Sequence, residues 1–111
     1  MFTIKVNKND FDLIKSGIKI YEVQINKDMD IKIGDHILFK KKPELFDGVL
    51  TKVVDIKTYS SFLEMATILS IDSLGFSGLT NHGVVEECYK NFSKELEEKY
   101  GVIVYEFKVM K

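Results

Sequence analysis

Alternation of apolar and polar residues predicts a strand at each end of the chain. Phe2, Ile4 and Val6 alternate with more polar neighbours, and the same period returns over residues 102–109. Successive side chains of a strand point to opposite faces of a sheet, so both segments are expected to be partly buried strands. Residues 49–58 are apolar almost throughout, which predicts a long strand in the centre of the sheet.

Two shorter apolar runs predict strands between these two ends. Residues 36–40 follow the turn signal Gly34-Asp35 and read as one strand. Residues 18–25 read as another, but polar residues occur on both of its faces, with Glu22 and Gln24 on the same face. The wall of a cavity and an exposed edge strand would each produce this pattern.

Two short helices are predicted from capping signals. The first begins at Asn9 or Asp10, whose side chains can accept from free backbone N–H groups, and it ends before Gly17. The second begins after Ser61, because a serine followed three residues later by Glu64 matches a capping box.

Residues 84–99 predict one helix or two joined helices, and their acidic residues are expected to form a solvated face: Glu95, Glu97 and Glu98. The predicted order is β-α-β-β-β-α-α-β. Clustered strands with few helices indicate an α+β fold, in which a curled antiparallel or mixed β-barrel has short helices at its ends. The length of 111 residues predicts one domain over 1–111.

Composition narrows the kinds of partner. All basic residues are lysines, so any anion would be held by lysines or backbone N–H groups rather than by a guanidinium fork. A net charge of -1 argues against a general nucleic-acid coat, although it is compatible with a local basic groove. No apolar run has the length of a signal peptide or a membrane span, so a cytoplasmic protein without membrane contact is expected.

Cysteine and histidine use predicts neither a disulfide nor a metal site. Cys88 is the single cysteine, which suits a reducing compartment and a small buried side chain rather than a nucleophile. His36 and His82 are far apart and lack neighbours at metal-ligand spacing. No cofactor motif is present, and no cofactor or metal is expected.

Several segments, in order, resemble the ASCH family of the PUA-like superfamily. They are a helix ending in Gly-x-Lys before a strand with a glutamate (residues 11–22), Ile33-Gly-Asp35 before a strand, Tyr59-x-x-Phe62 after the long strand, and residues 99–107 as the closing strand. The resemblance implies a PUA-like barrel with a cleft between the Gly-x-Lys segment and the later helices. It also implies RNA or a modified nucleoside as the partner.

Some small ASCH proteins resemble amidohydrolases that act on N4-acylated cytidine, which is the alternative function. In them a lysine at the place of Lys19 works with a threonine three residues later and a glutamate further on. Here Glu22 stands at the threonine position, and Gln24 stands where many members carry arginine. The nearest candidates for the further carboxylate are Asp72 and Glu86.

Lys19 and Glu22 are therefore the candidate catalytic pair. Three residues apart, they would point to opposite faces of a regular strand, so they can share a cleft only if the chain turns after Gly17. A desolvated lysine could act as a base, whereas a lysine paired with a carboxylate would suit an anion. An exposed edge strand is the alternative.

The remaining candidate ligand-binding residues are Tyr21, Gln24, Lys40, Lys41, Tyr59, Ser60 and Ser61. The tyrosines could stack on a base, and the lysines could meet a phosphate or serve only solubility. The two serines could hold an anion together with helix N–H groups, although capping alone explains them. Because strand ends gather at the mouth of a small barrel, Lys19 and Glu22 are predicted to reach one pocket with Tyr59 or Ser61 at its rim.

Overall fold

The computed structural model describes residues 1–27 and 30–110. Its strands and helices follow in the order β1 (Phe2–Val6), α1 (Lys8–Lys15), β2 (Tyr21–Ile25), β3 (His36–Lys41), β4 (Gly48–Tyr59), α2 (Phe62–Ile68), α3 (Asn81–Tyr89), α4 (Lys94–Tyr100) and β5 (Val102–Val109). The helical region predicted over 84–99 is thus two helices. The first of them starts earlier than predicted, because the Thr80 hydroxyl caps it by accepting from the Gly83 N–H.

The strands form one mixed sheet in the order β1-β3-β4-β5-β2. β1 and β3 run parallel, whereas the other neighbouring pairs are antiparallel. The predicted α+β fold with a curled, mixed sheet is confirmed as a half-barrel. β4 occupies the central place predicted for it, and β2 is an edge strand.

β5 separates two apolar cores. Tyr105 and Phe107 are buried among side chains from α1, β3 and β4. Val102 and Val104, which point to the opposite face, are buried among side chains from α2 and α3. Both faces of β5 are therefore covered, and packing against each of the two cores holds the strand in place.

A β-bulge in β4 changes which side chains face the core. Val53 pairs with Phe107 and Asp55 with Glu106, so Val54 has no partner on β5. Val53 is fully buried, and after the bulge Ile56 packs against the same core, while Val54 is 37% exposed. The bulge explains why β4 has a nearly continuous apolar sequence although one of its faces is largely open.

The capping signals are largely confirmed, with one correction. Ser61 accepts from the Glu64 N–H at 3.0 Å, as the capping box predicts, and Gly17 follows α1 with a positive φ of 84°. The cap of α1, however, is Asn7, which accepts from the Asp10 N–H at 2.8 Å, rather than Asn9 or Asp10. Capping by Asn7 leaves the Asp10 carboxylate available for another contact.

Candidate functional site

A cavity of about 570 Å³ lies beside the start of β2. Its walls come from β1, α1, β2, the segment 74–79, α3 and the residues that follow α3, so distant parts of the chain meet there. The polar and charged lining residues are Lys5, Asn7, Asn9, Asp10, Lys19, Glu22, Gln24, Lys42, Ser77, Glu87 and Asn91. A cavity of this size and polarity suits a small, hydrogen-bonding organic ligand.

Lys19 and Glu22 both line this cavity because the chain turns before β2 begins. The Lys19 and Ile18 N–H groups both donate to the Leu13 carbonyl at 3.0 Å, which wraps the segment after Gly17 around the end of α1. Regular strand alternation starts only at Tyr21. The two side chains therefore share one cavity, as predicted, although they are three residues apart.

Lys19 is buried and held in place by its neighbours. It is only 8% exposed, and its Nζ lies 3.7 Å from the Asp10 Oδ1. Its aliphatic stem packs against Gly75, where an added Cβ would lie 2.8 Å from the Lys19 Cδ. The segment that carries Gly75 is anchored next to Lys19, because the Ile20 N–H donates to the Ser73 carbonyl at 3.0 Å.

Glu22 is a buried carboxyl group, 7% exposed, that accepts a 2.6 Å hydrogen bond from the Gln24 side-chain amide. Burial raises the pKa of Glu22 above its ordinary value, while Lys19 and the Gln24 hydrogen bond oppose the rise and the nearby Asp10 charge adds to it. Lys19 therefore lies near two carboxyl groups, those of Asp10 and Glu22. The charges of Lys19 and Asp10 both affect how readily Glu22 binds a proton.

We expect Glu22→Gln to stabilise the protein at pH 7. Because the folded pKa of Glu22 is raised, its ionisation opposes folding progressively as pH rises through and above its ordinary value of 4.5. The variant should melt above the wild type at pH 7, and the difference should shrink as pH falls towards 4. Thermal unfolding across this pH range measures it. A variant that is less stable at pH 7 would contradict the expectation.

The other predicted binding residues on β4 and after it do not line the cavity. Tyr59 pairs with Val102 at the start of β5, whereas the segment that follows Lys19 meets β5 at Phe107, whose N–H donates to the Ile20 carbonyl. Tyr59 therefore lies several residues along the sheet from the Lys19 segment. The prediction of Tyr59 or Ser61 at the rim is therefore wrong, and Ser60 is also outside the lining. Tyr21 instead packs against the core that lies under α2 and α3.

The start of α2 is already occupied by the protein's own carboxylate. The Phe62 N–H donates to the Glu97 Oε2 at 2.7 Å, and the Tyr89 hydroxyl donates to the other oxygen of Glu97. Glu97 is only 5% exposed, so the prediction that it belongs to a solvated face is wrong, although Glu95 and Glu98 are exposed. Glu97 therefore already places a negative charge at this helix start, which disfavours binding of the anion predicted at Ser60 and Ser61.

The lysine run at the end of β3 contributes a different residue from those predicted. Lys42 lines the cavity, but Lys40 and Lys41 do not. The Lys41 Nζ lies 3.1 Å from the Asp47 carboxylate and over the ring of Phe11. Which of three consecutive lysines faces the cavity depends on the path of the loop, so the sequence could not single one out.

Several lining residues were not predicted as site residues. Asp10 was interpreted only as a helix cap, and Glu87 and Phe76 carried no separate signal. Neither Asp72 nor Glu86 lines the cavity, so the nearby carboxyl groups besides Glu22 are Asp10 and Glu87. Glu87 and Asn91 are four residues apart and Cys88 is next to Glu87, so a helical pattern predicts that the three side chains lie near one another. The pattern does not predict that they line this cavity.

Cys88 forms part of the cavity wall as a buried thiol. It is 4% exposed, as the sequence predicted, and burial, followed by the nearby Glu97 charge, raises its pKa to about 12. A thiol with so high a pKa is a poor nucleophile at neutral pH. Over residues 1–27 and 30–110, the structure contains no group of three or more side chains suited to a metal ion. No helix in these ranges is long and apolar enough to cross a membrane.

Comparison with protein families decides the family. A family model for the ASCH domain matches residues 4–111. The chain belongs to the ASCH domain family. The resemblance drawn from the motifs of the sequence is therefore confirmed, and the ASCH fold accounts for the mixed sheet and the helices around it. No curated protein matches the sequence.

Solved structures share the fold of this ASCH domain. The crystal structure of the hypothetical protein PH0355 has a TM-score of 0.85 at 27% identity and covers 98% of each chain. The solution structure of PF0455 from Pyrococcus furiosus has a TM-score of 0.72 at 21% identity, covering 99% of this chain and 97% of that one. An ASCH domain from Lactobacillus crispatus has a TM-score of 0.65 at 15% identity, covering 88% of this chain and 68% of the other.

Proposed function

We propose that the cavity binds RNA or a modified nucleoside, with the base next to Lys19 and Glu22. ASCH domains have a PUA-like fold that is generally thought to bind RNA. The observation that carries the proposal is the pair of buried, ionisable side chains on the wall of one polar cavity. Burying such groups is costly, so their presence in a cleft favours a functional role. Such a ligand fits a cytoplasmic location for the protein. The free thiol of Cys88 also fits this location, because the cytoplasm is a reducing compartment.

The lining has the chemistry needed to recognise a nucleobase. Beyond its bond to Glu22, the Gln24 amide has a carbonyl oxygen and a second N–H, and Glu22 has a second oxygen. These groups can pair with the donors and acceptors on the edge of an unpaired base. The ring of Phe76 belongs to the same lining and offers a face for stacking, which contributes about 1–3 kcal/mol per base.

We expect Lys19→Met to weaken nucleoside binding by at least about tenfold, because a buried, charge-assisted hydrogen bond contributes on the order of 1.5–3 kcal/mol. Methionine keeps most of the volume of the lysine stem, so the packing against Gly75 is largely retained. Calorimetric titration with the four ribonucleosides, N4-acetylcytidine and short RNAs at low salt measures the effect.

Lys32→Met is the matched control, because Lys32 is exposed and does not line the cavity. Its affinity should equal that of the wild type. If none of these ligands binds to the wild type at low salt, the proposal fails. If Lys19→Met binds as tightly as Lys32→Met, Lys19 has no part in recognition.

A second candidate function is hydrolysis of an N-acyl group from a cytidine-type nucleoside. The observation that favours it is the buried Lys19 between Asp10 and Glu22, at the edge of a cavity large enough for a nucleoside. Water would add to the acyl carbon as the C–N bond breaks. A water proton would pass through Lys19 or Glu22 to the leaving nitrogen, which yields a carboxylic acid and the free amine. Asp10 would orient Lys19.

Incubation with N4-acetylcytidine separates this function from binding alone. Cytidine should accumulate with the wild type and with Lys32→Met, but not with Lys19→Met. Binding of N4-acetylcytidine without the release of cytidine would exclude the hydrolase and leave the binding function intact.

A further inference from the structure

A second cavity adjoins the first at Lys19. It has a volume of about 330 Å³ and lies between the end of α1 and the end of β5. Its walls include the apolar side chains of Ile20, Phe107 and Val109, and lysines lie beside them. Lys19 lines both cavities, so both lie against the same residue.

The two cavities differ in charge. The lining of the first contains three lysines and three carboxyl groups, which favours a polar group without net charge. In the described parts of the chain, the lining of the second contains Lys15, Lys19 and Lys108 but no carboxyl group. A concave surface lined by one sign of charge attracts the opposite sign, so the second cavity suits an anion.

We propose that the ligand is an RNA strand of at least two nucleotides rather than a free nucleoside. One base occupies the first cavity, and the adjoining phosphate meets Lys15 and Lys108 at the second, where the apolar wall contacts the neighbouring sugar. This inference rests on the function proposed above and specifies its ligand. A nucleotide chain places a neutral, hydrogen-bonding base next to an anion along one backbone, which matches the contrast between the two cavities.

The test compares each ribonucleoside with its homodinucleotide (CpC, UpU, ApA or GpG), using the wild type and Lys15→Gln/Lys108→Gln. Both lysines are exposed, so the double variant should fold and melt as the wild type does. Lys32→Gln/Lys99→Gln removes the same charge from exposed positions outside both cavities and is the matched control.

The wild type and the control should bind one dinucleotide about tenfold more tightly than its nucleoside at low salt, and this advantage should fall as salt rises. Lys15→Gln/Lys108→Gln should lose the advantage while keeping the affinity for the nucleoside. Equal affinities of the wild type for both ligands, or an advantage that survives in this variant, would overturn the inference but leave the binding function standing. If neither kind of ligand binds to the wild type, the proposed function itself fails.

Discussion

Glu97→Ala is expected to lower the free energy of unfolding by about 3 kcal/mol, because it leaves two donors without their acceptor. These donors are the Phe62 N–H and the Tyr89 hydroxyl, which come from different helices. The hydrogen bond to Glu97 is the largest cause of the Tyr89 pKa being raised to about 12. Urea unfolding gives the free energy, and the midpoint of thermal unfolding should fall by roughly 10–15 °C.

Two further variants show whether the effect belongs to this contact. Glu95 lies on the same helix but is exposed, so the free energy of unfolding of Glu95→Ala should stay within about 0.5 kcal/mol of the wild-type value. Glu97→Gln keeps an acceptor oxygen for one of the two donors and should lie between Glu97→Ala and the wild type. If Glu97→Ala and Glu95→Ala are equally stable, Glu97 does not hold α4 against the start of α2.

Gly75→Ala is expected to weaken nucleoside binding by about tenfold, because its new methyl group displaces Lys19. The added Cβ would lie 2.8 Å from the Lys19 Cδ, which is closer than two carbon atoms can approach. The φ of 87° adds backbone strain of about 1–2 kcal/mol, so stability falls as well. Calorimetry with the best ligand of the nucleoside panel, together with urea unfolding, measures both effects.

Gly78→Ala separates the strain from the displacement of Lys19. Gly78 has a φ of 86°, and an added Cβ there would meet nothing within 4 Å. This variant should lose similar stability to backbone strain but bind the ligand as the wild type does. An equal loss of affinity in both variants would mean that the position of Lys19 does not determine binding.

The elements of the fold were predictable where the signal is local. The alternation over residues 102–109 and the capping box at Ser61 depend only on neighbouring residues, and both are confirmed. The misplaced start of α1 has the same kind of cause, because Asn7 is as good a cap as Asn9 and lies two residues earlier. Local signals alone were compatible with either a curled or a closed sheet. The family motifs added the expectation of a PUA-like arrangement.

The candidate site was predictable only in part. The resemblance to the ASCH motifs, together with the polar residues on the second strand, led to Lys19, Glu22 and Gln24, and all three line the cavity. The contribution of Asp10 was hidden, because an aspartate in the first turn of a helix has a sufficient local explanation as a cap or a dipole partner. The same limit applied to Glu97, whose neighbours in sequence are exposed glutamates.

By itself, the sequence determined the strands at both ends, the capped helices and the turn after Gly17, because each follows from the residue types within a short stretch of chain. It also determined the ASCH family, through several motifs that follow in order along most of the chain. Only the tertiary structure decided that Asp10 contacts Lys19, that Glu97 occupies the start of α2 and that Lys42 rather than Lys40 or Lys41 reaches the cavity. These contacts join residues that the order of strands in the sheet brings together. Local patterns state which face a side chain occupies, but not which distant group lies opposite that face.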